Sequence, residues 1–243
     1  ALKTEDAHGL NTAIGTQALF SLNAGADAYN TAVGYQAGAA VSTGVKNTII
    51  GGLAGDAITT GDYNVIVGYS NQSAAVGTDA QIIIGQSVTG VGANNFTFGN
   101  GATDSNIAFG ATSITAPSDQ RYKEEIADAT AGLAFIKDLR PVTFKWKKEK
   151  DVPSDHPAYV EGSDKRVMLS NGETNHGFIA QEVKTAIDNH SEIKDGFRMW
   201  SEQGLDEDGN STGGRQRLGD GALIPMLVKA IQELEARIAT LEG

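Results

Sequence analysis

The residues of this chain with the makings of a reaction are Ser118 and Lys123, in the run Ala116-Pro117-Ser118-Asp119-Gln120-Arg121-Tyr122-Lys123. Serine is a weak nucleophile until a base takes its proton, and lysine serves as that base only when burial or a cationic neighbour keeps it neutral. Arg121 stands where such a neighbour would, and Asp119 adds a carboxylate to the same run. Five residues along an ideal helix rotate a side chain by about 140°, so the pair cannot share one helical face. Pro117 biases Ala116 toward extended backbone, which sets Ser118 just ahead of a helix whose first turns carry Lys123. The same residues also admit a purely structural reading, in which Ser118 or Asp119 caps that helix.

The elements that must position this pair differ on its two sides. Residues 1 to 117 hold two basic residues, Lys3 and Lys46, seven acidic residues and eighteen glycines; the other seventeen basic and twenty-three acidic residues, with both tryptophans, come later. So abrupt a shift marks two modules, 1–117 and 118–243, folding by different rules. A net charge of -11 argues against a grip on nucleic acid or an anionic membrane surface. No apolar run reaches membrane-spanning length, and the absence of cysteine leaves no thiol chemistry. Residue 1 is Ala, and a longer native chain upstream of it is expected.

The first module is a repeat. Its anchors are N-T-A-I-G at 11–15, N-T-A-V-G at 30–34, N-T-I-I-G at 47–51, N-V-I-V-G at 64–68, Q-I-I-I-G at 81–85, N-F-T-F-G at 95–99 and N-I-A-F-G at 106–110. Each reads as a short β-branched or apolar strand closed by glycine, with asparagine (glutamine at 81) at its entrance. Glycine takes the positive φ of a tight corner, and asparagine tolerates a similar one. One such unit cannot bury its apolar face alone, so neighbouring units or other chains must cover it. The acidic residues Glu5, Asp6, Asp27, Asp56, Asp62, Asp79 and Asp104 sit mostly in turn contexts. They read as solvated rather than as the close carboxylate pair of a glycosidase. No metal or cofactor site is expected in either module.

In the second module four blocks follow in order: S-D-Q-R-Y-K-E-E-I at 118–126, L-R-P-V-T-F-K-W-K at 139–147, G-F-I-A-Q-E-V at 177–183 and L-I-P-M-L-V-K-A-I-Q-E-L at 223–234. Together they resemble the intramolecular chaperone domain of phage tail spikes and fibres, the peptidase S74 or endosialidase-type chaperone. The resemblance covers 118 to 243. It implies a Ser118–Lys123 catalytic dyad, with Asp119 and Arg121 as supporting candidates, that cuts the Pro117–Ser118 bond and releases the chaperone from a trimeric fibre. It further implies a homotrimer in a virion, assembled in the host cytoplasm, whose mature fibre meets a host-cell surface receptor, a glycan among the candidates. The N-T-A-V-G pattern is similar to repeats that precede such chaperones and, more loosely, to the heads of trimeric bacterial adhesins. The fold class expected is therefore an all-β repeat module, trimeric and β-roll or triple-β-helix-like, with strands winding around a common axis, followed by an α+β chaperone ending in a coiled-coil helix.

Within 118–243 the apolar residues Ile126, Leu133, Ile136 and Leu139 predict a helix over roughly 119–139, ended by Pro141. Val142 to Trp146 alternates like a strand beside Lys145, Lys147, Lys148 and Lys150, a solvated edge. Residues 151–176 form a polar excursion with a turn at Asn171-Gly172, and Ala180 to Ile187 reads as a helix. His176 reads as a surface or hydrogen-bonded residue, since a serine–lysine pair needs no third member. Phe197–Trp200 and Arg215–Leu218 flank Asp206-Glu207-Asp208-Gly209-Asn210, a hairpin tip whose glycine falls at the wrong place for a calcium loop. Ile224, Leu227, Ile231, Leu234, Ile238 and Leu241 recur at steps of three and four, a coiled-coil seam. A trimeric bacterial adhesin whose C-terminal domain trimerises without cutting itself is the competing reading.

Overall fold

A computed structural model describes residues 1–3, 9–168, 172–194, 196–204 and 214–242. The chain forms two compact units, 1–124 and 125–243. Glu5, Asp6, Asn171 and the 206–210 loop lie outside the described residues.

The first unit carries strands β1 (Thr12–Ile14), β2 (Thr31–Val33), β3 (Thr48–Ile50), β4 (Val65–Tyr69), β5 (Gln81–Gln86), β6 (Asn95–Asn100) and β7 (Thr103–Ala108). They form one seven-stranded sheet in chain order. β1 to β6 are parallel and in strict register, with Thr31 opposite Thr48 and Ile49 opposite Ile66. Seventeen residues suffice for strand, corner, return segment and corner, so each coil stacks on the next coil of the same chain. Of the two architectures expected, β-roll or triple-β-helix-like, the single chain forms a roll wound on itself. Ile49, Ile66 and Ile83 point inward and are fully buried with Ala54 and Ile58 of the return segments.

The asparagines do more than the corner role read from sequence. Asn30, Asn47 and Asn64 are buried, and each one's side-chain oxygen accepts the backbone N–H of the next coil: Asn47 N to Asn30 Oδ1 at 2.9 Å, Asn64 N to Asn47 Oδ1 at 2.9 Å, Gln81 N to Asn64 Oδ1 at 3.0 Å. Their Nδ2 groups donate to the carbonyls of Gly44, Gly61 and Thr78 at 2.8, 2.8 and 2.9 Å. A buried amide costs little only when both of its ends are bonded, which this ladder achieves. The left-handed corner falls instead to the preceding residue: Tyr29, Lys46, Tyr63 and Ala80 have φ between 53° and 60°. Glycine is required at the strand exits, where Gly34 has φ +138° and an added Cβ would lie 2.5 Å from the Gly51 carbonyl oxygen.

The anchor spacing shrinks to eleven residues before the last strand, too few for a coil. β7 accordingly turns back antiparallel on β6. Its outer edge is bridged by Thr115, which exchanges backbone bonds with Asn106 at 2.8 and 2.7 Å.

The second unit holds helices α1 (Leu133–Asp138), α2 (Ala180–Asp188) and α3 (Leu223–Glu242), with two small antiparallel sheets. β8 (Val142–Phe144) pairs with β9 (Asn175–Gly177), and β10 (Trp200–Glu202) with β11 (Gln216–Leu218), the hairpin expected there. The core gathers Phe135, Val183, Ile187, Met199 and Leu223. Phe135 is fully buried and meets the rings of His190 and Phe197 edge-on at 5.4 and 5.6 Å. Glu233 of α3 accepts the Leu133 N–H at 2.9 Å and so caps α1. No helix among the described residues is long and apolar enough to cross a membrane.

The long helix expected over 119–139 does not form. A 3-10 turn at Gln120–Tyr122 and the six residues of α1 are its only helical parts, and Ile126 is exposed. Asp128, Thr130 and Gly132 are weak helix formers, and only Ala131 onward has a core to pack on.

Candidate active site

The segment 116–123 leaves the roll just after Thr115 has paired with β7. Asp119 caps the short turn, its Oδ1 accepting the Arg121 N–H at 2.9 Å. Tyr122 and Lys123 N–H then bond back to the Asp119 and Gln120 carbonyls at 3.1 and 3.0 Å. A continued α-helix would have swung Lys123 away from Ser118. Because the 3-10 turn ends at once in extended backbone at Lys123, the side chain comes back, and Lys123 Nζ donates to Ser118 Oγ at 2.7 Å.

Arg121 does not stand free beside the lysine. Its Nε donates to both Asp119 carboxylate oxygens at 3.1 and 3.0 Å, and that bond, with the Arg121 backbone N–H, holds the Asp119 carboxyl below the usual carboxylate range. The two residues named as supporting candidates therefore brace the turn. Ser118, Arg121 and Lys123 are all exposed in the single chain. A hydroxyl with an amine in contact, in the residue directly after Pro117, has the groups that a serine nucleophile and its base require.

His176 lies in β9 opposite Thr143, exposed, in the other compact unit. Of the acidic residues in the roll, Asp62 and Asp79 accept the backbone N–H groups of Val45 and Asp62 at 2.8 and 2.7 Å, and Asp56 accepts from Gln72 at 2.5 Å. They are bonds between coils. Lys148 and Lys150 both pair with Asp164 at 2.5 and 2.7 Å, which holds that carboxyl down at about 2.

Sequence reasoning missed two charged sites in the second unit. Arg140 clamps Glu182 of α2 with two hydrogen bonds, joining two of the quoted blocks. His190 lies between Asp138, Nε2 to Oδ2 at 2.8 Å, and Glu192, Nδ1 to Oε1 at 3.0 Å. Only the protonated ring can donate at both nitrogens, and these carboxylates raise its pKa above 6.5. The signal for the first pair was their shared membership of the recognisable blocks; the second had none, since Asp138 and His190 are far apart in sequence.

The chain is thus a β-roll followed in sequence by a small α+β unit, with the Ser118–Lys123 contact in the segment just after the roll. Residues 118–192 match the family model Peptidase S74, described as chaperone of endosialidase. The match begins at Ser118. No curated protein and no solved structure matches the chain.

Proposed function

We propose that this chain is the C-terminal part of a phage tail fibre or spike, in which residues 118–243 trimerise, set the register of three rolls, and then cut themselves free at Pro117–Ser118. Once assembly of the three chains buries this segment and leaves the lysine neutral, Ser118 Oγ attacks the Pro117 carbonyl carbon as Lys123 Nζ takes the hydroxyl proton. The C–N bond breaks as that proton passes to the Ser118 nitrogen, leaving an ester between Pro117 and Ser118 Oγ. Water then hydrolyses the ester to a Pro117 carboxylate and a Ser118 α-amine, so the reaction occurs once per chain. The observation that carries this reading is the 2.7 Å contact between Lys123 Nζ and Ser118 Oγ at the residue where the family match begins.

The physical motive is kinetic. Aligning three long β-stacks demands non-local contacts before anything rewards them, and exposes edges meanwhile. A separately folding module brings the chains together first, and its removal leaves the fibre behind a high unfolding barrier. The mature roll belongs in a virion, where it meets a host-surface receptor.

The test is a denaturing gel with intact mass on freshly expressed protein. The native chain should give fragments ending at Pro117 and beginning at Ser118, while Ser118→Ala and Lys123→Ala stay full length. Normal cleavage in either variant, or an uncut native chain as the trimerising adhesin predicts, overturns the reading.

A further inference from the structure

Side chains alternate across each strand, so Ile49, Ile66 and Ile83 fill the roll while their neighbours face outward. The outward columns are Thr31, Thr48, Val65 and Ile82, then Val33, Ile50, Val67 and Ile84, repeated at every coil. Ile14, Ile50 and Ile84 are 59%, 40% and 42% exposed, and the flanking Tyr29, Tyr35, Tyr63 and Tyr69 each about half exposed. Across β1 to β6 and their corner residues the only charged group is Lys46, whose ammonium donates to the Tyr63 hydroxyl at 3.0 Å. From corner to corner and over six strands the face spans on the order of 500 Å², the size of the largest patches that soluble chains expose, which are often functional.

We propose that this sheet face is where the rolls of identical chains meet, each roll laying its strand face against those of two other copies with the coils level. The proposal rests on the trimeric reading above and adds the surface used. A second copy is the occupant because the face repeats at one fixed step along the stack, and another copy offers the same apolar rows at the same step. The chain's other bare apolar stripe, the α3 seam, points to the same partner: Ile231, Leu234 and Ile238 are 65%, 44% and 53% exposed. A face of about 500 Å² is below the roughly 800 Å² per partner of a stable interface. Its rows are also nearly alike from coil to coil, so two rolls slipped by one coil would still match apolar rows. A weak and slip-tolerant face needs an outside agent to choose the level alignment, which gives the chaperone a defined task.

The chain has no cysteine, so a single introduced one reports on one position. Full-length Ile50→Cys, treated with a short bis-maleimide, should give about tenfold more covalent dimer than Ala57→Cys, because a short bridge forms only where two copies of a residue approach closely. Ala57 is exposed on the return segment, whose Gly55 backbone faces Ile49 and Ile66 across the interior. Val67→Cys, on the same face as Ile50, serves if Ile50→Cys does not fold. Three copies by native mass with no preferential dimer from either face variant overturns the face and leaves the trimeric chaperone standing. A single copy by native mass overturns both. Mixed Val33→Cys and Ile50→Cys chains should link like to like, and predominant unlike pairs would overturn the level alignment.

Discussion

Ser118 and Lys123 are legible from sequence as types and spacing, but their contact is made by a detail that spacing hides. The Asp119–Arg121 brace stops the helix after one 3-10 turn, and the stop returns the lysine to the serine. His190 shows the opposite case, a group whose surroundings no sequence pattern announced. Its folded pKa lies above 6.5, so its contribution to stability is complete below that value and is lost as pH rises through the folded pKa. In an uncut Ser118→Ala background the melting temperature of the chaperone should fall as pH rises above the usual histidine range, and His190→Gln should flatten that slope. In the roll, Asn47→Ala would strip the buried Asn64 N–H and the Gly61 carbonyl of their partner at once. Each orphaned group costs about 1–3 kcal/mol. A loss of roughly 3 kcal/mol or more is expected from chemical denaturation of the cleaved roll, where a surface amide would give almost nothing.

The strands were legible because apolar triplets closed by glycine recur at seventeen residues, and a period is stronger than any single propensity. The helix expected over 119–139 does not form because its apolar spacing is helical while only Ala131 to Leu139 finds a core; Ile126 fits the pattern and stays in solvent. α3 forms as the long helix expected, its Ile231, Leu234 and Ile238 exposed and its other face used within the unit: Ala230 is buried, and Glu233 caps α1. The proposed trimerisation can therefore be disrupted without unfolding the unit. Ile231→Asp with Leu234→Asp places charge on exposed seam positions only, and native mass spectrometry of the uncut chain should shift from three copies to one while circular dichroism keeps its helical signal. An unchanged trimer would mean the seam is idle.

For the whole molecule, the sequence announced two modules but not that each chain would wind its own roll, because seventeen residues can make either a full coil or a strand shared with neighbours. The ladder decides it, since each buried asparagine reaches both the coil before and the coil after. That arrangement also makes length a quantised property of the roll. Removing residues 47–63, one period of seventeen, would place Asn64 where Asn47 was, with Asn30 Oδ1 ready for its N–H and Gly68 where Gly51 stood. Such a chain should still fold, cleave and assemble, shorter by one strand spacing of about 4.8 Å. Cutting one residue more or fewer should instead turn inward-facing isoleucines to solvent and leave insoluble protein. Coils can thus be gained or lost whole by duplication or deletion of the gene segment, so that a roll of this kind changes its length in fixed steps without redesigning its interior.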